Sequence, residues 1–282
     1  ADWVHSGHVP ARSRRPVSAA LTCAADDGVL VDASVAGSGP PLILLAGGID
    51  YLGRGWDLTV AHLVGQRRVV RHVRRFYRPE LGDPFACAMR DDARDVAALA
   101  AALGGDVDLL GHSSGGVLAL ECLVSDPQLY RSAVVFEAPI VTDAPLGGAA
   151  STRAREHLAA GREVRAMASF LADIVGAPRW SSWLGAVGLT VAPGYRRRIP
   201  GQLADLAAID ALGDRRVAYS AITQRVLGVY GTDSPAHLGE RMGALLQVLP
   251  QGEPWQVTGN HSAQARDPAG FAHRVLMFLA AG

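Results

Sequence analysis

One serine stands in a setting that suits covalent chemistry. Ser113 lies in Gly111-His112-Ser113-Ser114-Gly115, between an apolar segment at 107–110 and an apolar stretch rich in Ala and Leu. A strand that turns sharply into a helix strains its central residue, and flanking glycines avoid clashes. Such a turn directs the serine hydroxyl and the first helix amides at the same point. We expect Ser113 to be a nucleophile. The alternative is an ordinary Gly-rich turn capped by serine, since Gly-rich turns are common in a chain with 32 glycines.

A nucleophilic serine needs a base within hydrogen-bond reach. Of the nine histidines, His261 is the best placed, because it follows a late apolar segment in Gly259-Asn260-His261-Ser262 and precedes a helix beginning near Pro268. Its alternative role is to stabilise its own loop. His112 adjoins the nucleophile, but neighbouring side chains diverge on a tight turn, so we expect it to pack beneath the turn. Surface or core roles are expected for the histidines in helical patterns, His62, His157 and His273.

The elements that must position these residues alternate between apolar segments and helical patterns. This alternation predicts a mostly parallel sheet with helices on both faces. The first two strands flank Asp26-Asp27-Gly28 and should form a hairpin, while the continuous apolar run at 41–46 is typical of a central parallel strand. The predicted strands are 17–24, 29–36, 41–46, 68–73, 107–110, 133–136, 226–230 and 255–258. The helices predicted outside residues 140–224 are 56–65, 91–103, 114–125, 236–249 and 271–280.

Residues 140–224 interrupt this alternation. They contain helical patterns at 154–175 and 202–212 but no convincing strand. We therefore predict a helical cap inserted into a core formed by residues 17–139 and 225–282. An apolar group in this cap is expected either to roof the site or to form the cap's own core: Trp180, Trp183, Leu184, Val187 and Leu189.

Composition excludes several classes of partner. The formal net charge is +0, which argues against nucleic acid or an acidic surface as the main partner, and no apolar stretch is long enough to cross a membrane. The three cysteines lack metal-ligand spacing and favour a reducing cytoplasm. Residues 1–16 have an Arg-rich sequence without an apolar core, so we expect a disordered or added tail and not a signal peptide. His5 and His8 in this tail are not expected to take part in the chemistry.

The order of these features along the chain resembles that of the α/β-hydrolase family. The resemblance covers nearly all of the sequence after the tail. The shared features are the hairpin, the apolar strand at 41–46, the serine turn, a carboxylate after the next strand, the helical insertion and the late loop histidine. The resemblance implies an α/β fold with a mostly parallel eight-stranded sheet and an inserted helical cap. It also implies Ser113 as the nucleophile, His261 as the base and the amide of Ser114 as one oxyanion donor.

The second oxyanion donor implied by the resemblance is Gly48. The family usually opens this loop with His-Gly, whereas the present chain has Ala46-Gly47-Gly48. Gly48 leaves the backbone free to approach a substrate, so we expect Gly47 and Gly48 to form the loop of the oxyanion hole, with altered support.

Two carboxylates could be the acid that orients the base. The family's usual acid lies three residues beyond a glycine that ends the strand after the cap, and Ser234 occupies that place, one residue after Asp233. A subset that includes many haloalkane dehalogenases places the acid at the end of the strand after the serine helix, where this chain has Glu137. We favour Glu137 slightly over Asp233. For each, the alternative is a carboxylate that caps a helix or bonds a loop.

The nucleophile restricts the chemistry further. Haloalkane dehalogenases and epoxide hydrolases of this family carry aspartate where Ser113 stands, so an acyl-enzyme route is expected instead. The predicted substrate is a small apolar ester, lactone or thioester, with no cofactor and no metal, and the protein could form a homodimer. A cyclase, lyase or acyltransferase of natural-product assembly, a cofactor-free perhydrolase, and a ligand-binding receptor without turnover remain as alternatives.

Overall fold

The computed structural model describes residues 19–192 and 194–281. The predicted tail, residues 1–16, lies outside the described residues. Within them, eight strands are present: β1 (Ala19–Ala24), β2 (Leu30–Ala36), β3 (Pro41–Leu45), β4 (Arg68–His72), β5 (Val107–His112), β6 (Tyr130–Phe136), β7 (Arg225–Gly231) and β8 (Gly252–Val257). They form one sheet in the order β1-β2-β4-β3-β5-β6-β7-β8.

The sheet is mostly parallel, as the alternation of elements predicts. β1 and β2 form the expected antiparallel hairpin, β2 also pairs antiparallel with β4, and every pair from β4 to β8 is parallel. β3 and β5 are central strands with hardly any solvent exposure. Their apolar sequences are explained by this burial, because both faces of the sheet are covered.

Helices cover the sheet and fill the insertion. They are α1 (Asp57–Leu63), α2 (Met89–Ala102), α3 (Ser114–Ser125), α4 (Gly148–Ala159), α5 (Glu163–Ser169), α6 (Arg179–Val191), α7 (Ile199–Leu212), α8 (Arg216–Tyr219), α9 (Ala236–Val248), α10 (Ala263–Arg266) and α11 (Pro268–Ala280). None of the described helices is both long and apolar enough to span a lipid bilayer.

Two apolar cores lie on opposite faces of the sheet. Ile43 and Leu45 pack with α2, α3 and α9, whereas Leu42 and Leu44 pack with α1 and α11. Successive side chains of a strand point to opposite faces, so one apolar run supplies both cores. The sheet therefore lies between two layers of helix.

The helices α4 to α8 lie between β6 and β7, and we call this group the cap. The predicted helix over 154–175 is divided into α4 and α5, because Gly161 adopts a φ of 68° that ends the first helix. A π-helical turn, Phe170–Ile174, continues α5. α7 is buried along most of its length because it packs between α4 and the core elements α2 and α3.

The predicted roof or core role of the cap tryptophans is wrong. α6 turns its small residues Ser182 and Ala186 inward, where they allow close packing on α5. Its large residues face solvent: Trp180 is 72% exposed, Trp183 49%, Leu184 63% and Val187 38%. Leu189 alone among the five predicted residues packs against the cap core.

Candidate active site

Ser113 occupies the turn between β5 and α3 in a backbone conformation that is rare for a residue with a side chain. Its φ is 56° and its ψ is −127°. A Cβ on Gly115 would lie 2.1 Å from the carbonyl oxygen of Leu45, and a Cβ on Gly111 would lie 2.5 Å from the carbonyl oxygen of Gly115. The amide of Ser113 donates to the carbonyl of Phe136 at 2.9 Å. Both glycines are therefore needed for the packing that holds the strained serine.

The candidate residues emerge together at the carboxyl edge of the sheet. His112 pairs with Phe136 in the parallel register of β5 and β6, so the two strands end at the same level. Ser113 and Glu137 follow these ends directly. His261 lies in the loop after β8, at the same edge. The register of the parallel strands thus brings side chains that are far apart in sequence to one place.

His261 and Glu137 form a hydrogen-bonded pair. Nδ1 of His261 lies 2.5 Å from Oε2 of Glu137, and the amide of Gly231 donates to Oε1 of the same carboxylate at 2.7 Å. Burial would raise the pKa of Glu137, but the hydrogen bonds from His261 and Gly231 outweigh it and hold the pKa below its ordinary value of 4.5. The ionised carboxylate can only accept, so Nδ1 of His261 carries the proton and Nε2 is free to act as a base.

Ser113 and His261 line the same cavity. Within the described residues no direct hydrogen bond joins the Ser113 hydroxyl to the imidazole. Bonds of this type commonly tighten only when a substrate is bound. The arrangement therefore places a hydroxyl beside the same space as an imidazole that is bonded to a buried carboxylate.

Asp233 is placed away from the histidine. Its carboxylate, 60% exposed, approaches Arg266 at 3.4 Å and accepts from the hydroxyl of Thr232 at 2.9 Å. Its amide donates to the carbonyl of Gly259, which leaves the side chain directed to the surface. Of the two acid candidates, only Glu137 contacts the imidazole, and the alternative based on Asp233 is not supported by the geometry.

His112 packs beneath the serine turn, as its position in the sequence predicts. Its ring stacks on Phe136 with centroids 4.9 Å apart, and its Nε2 lies 2.9 Å from the carbonyl oxygen of His261. Burial lowers the pKa of His112 well below 6.5, so the ring is neutral and donates from Nε2 to that carbonyl. His112 therefore supports the loop that carries His261.

The proposed oxyanion groups surround Ser113. A Cβ on Gly47 would lie 2.9 Å from the Cβ of Ser113, so the loop after β3 passes close to Ser113. Ser114 begins α3, where backbone amides lack partners within the helix. Gly47, Gly48 and Ser114 all line the cavity. These positions suit donors for a negatively charged oxygen formed next to Ser113.

A buried charge cluster, which sequence reasoning missed, supports this region. Arg74 donates to Asp92 from Nε at 2.7 Å, to Asp205 from Nη2 at 2.7 Å and to the hydroxyl of Ser114 from Nη1 at 2.8 Å. Tyr77 also donates to Asp205 at 2.7 Å. Burial would lower the pKa of Arg74, but the two carboxylates hold it above its ordinary value, so the guanidinium stays charged. Because Asp205 belongs to α7, the cluster joins the cap to the core next to Ser113.

The cavity beside Ser113 has a volume of about 310 Å³. This is at the lower end of the roughly 300–1,000 Å³ range of small-molecule sites. Its apolar wall comes from the cap and α9: Phe170, Ile174, Val175, Leu206, Ile209 and Leu238. Polar lining residues that were not predicted as site residues are Asp50, Gln202, Asp205, His237 and Ser262. Gln202 and Asp205 carry one sequence signal: each is a polar residue inside an otherwise apolar helical pattern.

The other candidate histidines do not line this cavity: His62, His157 and His273. Among the described residues, no group of three or more His, Cys, Asp or Glu side chains is arranged to hold a metal ion.

Comparison with known proteins places the chain in one family. The sequence model of the alpha/beta hydrolase family matches residues 42–274. A comparison with curated protein sequences found no match.

Solved structures share the fold. An alpha/beta hydrolase from Sphaerobacter thermophilus is 23% identical with a TM-score of 0.70, over 89% of this chain and 99% of that chain. A bromoperoxidase from Bacillus anthracis is 19% identical with a TM-score of 0.67, over 94% and 100%. An esterase from Rhodococcus sp. ECU1013 is 22% identical with a TM-score of 0.66, over 93% and 98%. At these identities the likeness shows the fold alone.

Proposed function

Since the chain belongs to the alpha/beta hydrolase family, we propose that it is a serine hydrolase that cleaves a small ester, lactone or thioester with an apolar body. One observation carries the proposal: Ser113, held at a φ of 56°, shares a cavity with an imidazole that is bonded to a buried carboxylate. Nucleophile, base and orienting acid are the groups that acyl transfer through serine requires.

The first half-reaction forms the acyl-enzyme. The Ser113 hydroxyl attacks the carbonyl carbon while Nε2 of His261 accepts its proton. The amides of Ser114 and Gly48 donate to the oxyanion of the tetrahedral intermediate. When the intermediate collapses, the imidazolium returns the proton to the leaving alkoxide or thiolate, and the acyl group stays on Ser113.

The second half-reaction uses the same groups on water. His261 accepts a proton from water as the water oxygen attacks the acyl carbon, and Ser113 leaves as the protonated hydroxyl. Glu137 keeps Nδ1 protonated and stabilises the imidazolium that forms in both halves. Its low pKa keeps it ionised at neutral pH, which this role requires.

The apolar wall supports the proposed substrate class. Residues of the cap and α9 surround the space beyond the polar groups, so an acyl or alcohol group without charge is favoured there. An apolar lining also strengthens the hydrogen bonds made to the oxyanion, because it lowers the local dielectric constant.

Labelling with a fluorophosphonate tests the proposal, because such probes react with activated serines. We expect the wild-type protein to be labelled on the peptide that contains Ser113. Ser113→Ala should lose the label, and its turnover of short activated esters should fall by about a millionfold. Ser262→Ala is the matched control, because Ser262 also lines the cavity, and it should retain the label. A folded wild-type protein that is not labelled would contradict the proposal and favour a ligand-binding role.

A further inference from the structure

Gln202 places an uncommitted amide inside the cavity. It lies on α7 with only 5% of its surface exposed, and it lines the same space as Ser113. Its Oε1 has no hydrogen-bond partner within the described residues. A buried polar atom without a partner is unfavourable, so its retention at the site indicates a partner that arrives with the ligand.

Two glycines bring this amide against the oxyanion loop. A Cβ on Gly48 would lie 2.2 Å from Oε1 and 2.6 Å from Nε2 of Gln202, so the amide occupies the place of a side chain at position 48. A Cβ on Gly201 would lie 1.9 Å from the carbonyl oxygen of Phe76, so α7 can approach the core only with glycine there. The amide of Gln202 is therefore fixed next to Gly48, the residue to which we assign an oxyanion donor.

Two acidic residues that line the cavity are already engaged in hydrogen bonds. Asp205 accepts hydrogen bonds from Arg74 and Tyr77. Asp50, which also lines the cavity, accepts from the amides of residues 54 and 55. Beside the oxyanion loop, Gln202 is thus the cap residue whose hydrogen-bonding capacity is left for a ligand.

We propose that Gln202 is a specificity-determining residue that selects substrates with a hydroxyl group on the carbon next to the scissile carbonyl. This inference rests on the proposed function, which places the carbonyl oxygen at Gly48. A hydroxyl on the carbon next to the carbonyl is two bonds from the carbonyl carbon and can reach an amide in contact with that loop. A hydroxyl can donate to Oε1 and accept from Nε2, whereas a ketone or carboxylate cannot supply the proton that Oε1 lacks. The substrate class is therefore a 2-hydroxy ester, lactone or thioester with an apolar remainder.

Methyl mandelate and methyl phenylacetate test this directly, because they differ only in that hydroxyl. Values of kcat/KM are divided by the rate constants for hydroxide hydrolysis, which removes the intrinsic effect of the hydroxyl. The wild-type enzyme should then prefer one enantiomer of methyl mandelate by about tenfold or more over methyl phenylacetate. In Gln202→Met, which keeps the length of the side chain, the mandelate-to-phenylacetate ratio should fall by about 10- to 100-fold, and the enantiomer preference should disappear.

Gln224→Met is the matched control. Gln224 also has an Oε1 without a partner within the described residues, but it does not line the cavity. The mandelate-to-phenylacetate ratio of Gln224→Met should equal that of the wild type. A mandelate-to-phenylacetate ratio that is unchanged in Gln202→Met overturns the inference. A wild-type enzyme that is labelled on Ser113 but does not hydrolyse methyl mandelate, or does not prefer it to methyl phenylacetate, also overturns it. Absence of fluorophosphonate labelling would instead mean that the proposed function itself has failed.

Discussion

At the scale of single residues, backbone strain coincides with the proposed catalytic groups. Ser113 and Glu137 adopt φ values of 56° and 46°, and Asp106 is the other non-glycine residue with a positive φ in the described part of the chain. Each such conformation costs about 1–3 kcal/mol and persists where the surroundings enforce it. Ser113 could be predicted because its glycine neighbours are local in sequence. The choice between Glu137 and Asp233 could not, because both follow strands and only the backbone direction decides which one reaches His261.

The two carboxylates should respond differently to loss of charge. Glu137→Gln should reduce turnover by about 10³- to 10⁴-fold, because an amide can stabilise the wrong imidazole tautomer and cannot stabilise the imidazolium. Asp233→Asn should change turnover by less than about threefold, since an exposed ion pair of this kind contributes little. Steady-state kinetics with an activated ester compare the two. The opposite ranking would show that Asp233 is the acid in solution.

At the scale of elements, the strands were predicted more accurately than the cap. Buried strands carry apolar runs that end at turns, and α3 begins and ends where its pattern indicates, at 114 and 125. α6 is absent from the helices predicted from the sequence, although its large apolar residues recur at helical spacing. The spacing shows which residues share a face but not whether that face is buried, so the exposed position of Trp180 and Trp183 could not be foreseen. α7 depends on contacts with distant residues such as Arg74, which periodicity does not reveal.

The link between α7 and the core makes a testable contribution to stability. Arg74→Met leaves the buried carboxylates of Asp92 and Asp205 without their cation. We expect the free energy of unfolding to fall by about 3–5 kcal/mol, as when one partner of a buried ion pair is removed. Urea denaturation measures this value. Arg196→Met is the control: its pair with Glu163 is on the surface, and its loss should cost less than about 1 kcal/mol. Equal losses for both variants would contradict the role of the cluster.

At the scale of the whole molecule, alternation of strand and helix was sufficient to predict the architecture. Parallel strands need crossover connections, and right-handed crossovers leave few arrangements for such a chain. That architecture brings Ser113, Glu137 and His261 to one sheet edge, although Ser113 and His261 are 148 positions apart in the sequence (261 − 113). The shape of the cavity was beyond prediction, because it depends on how the cap packs over this edge. Gln202 is the clearest case, since its role follows from the contact between α7 and Gly48.

The central claim is that Ser113 carries the acyl group during turnover, and trapping that intermediate tests it most directly. The protein is mixed with p-nitrophenyl acetate, quenched in acid within milliseconds, digested and analysed by mass spectrometry. We predict one acetyl group on the peptide containing Ser113, together with a burst of about one equivalent of p-nitrophenol per active site. His261→Ala should show neither. Two results would contradict this claim. One is turnover of the ester by the wild-type protein with the acetyl group on another residue. The other is a Ser113→Ala variant that is as active as the wild type.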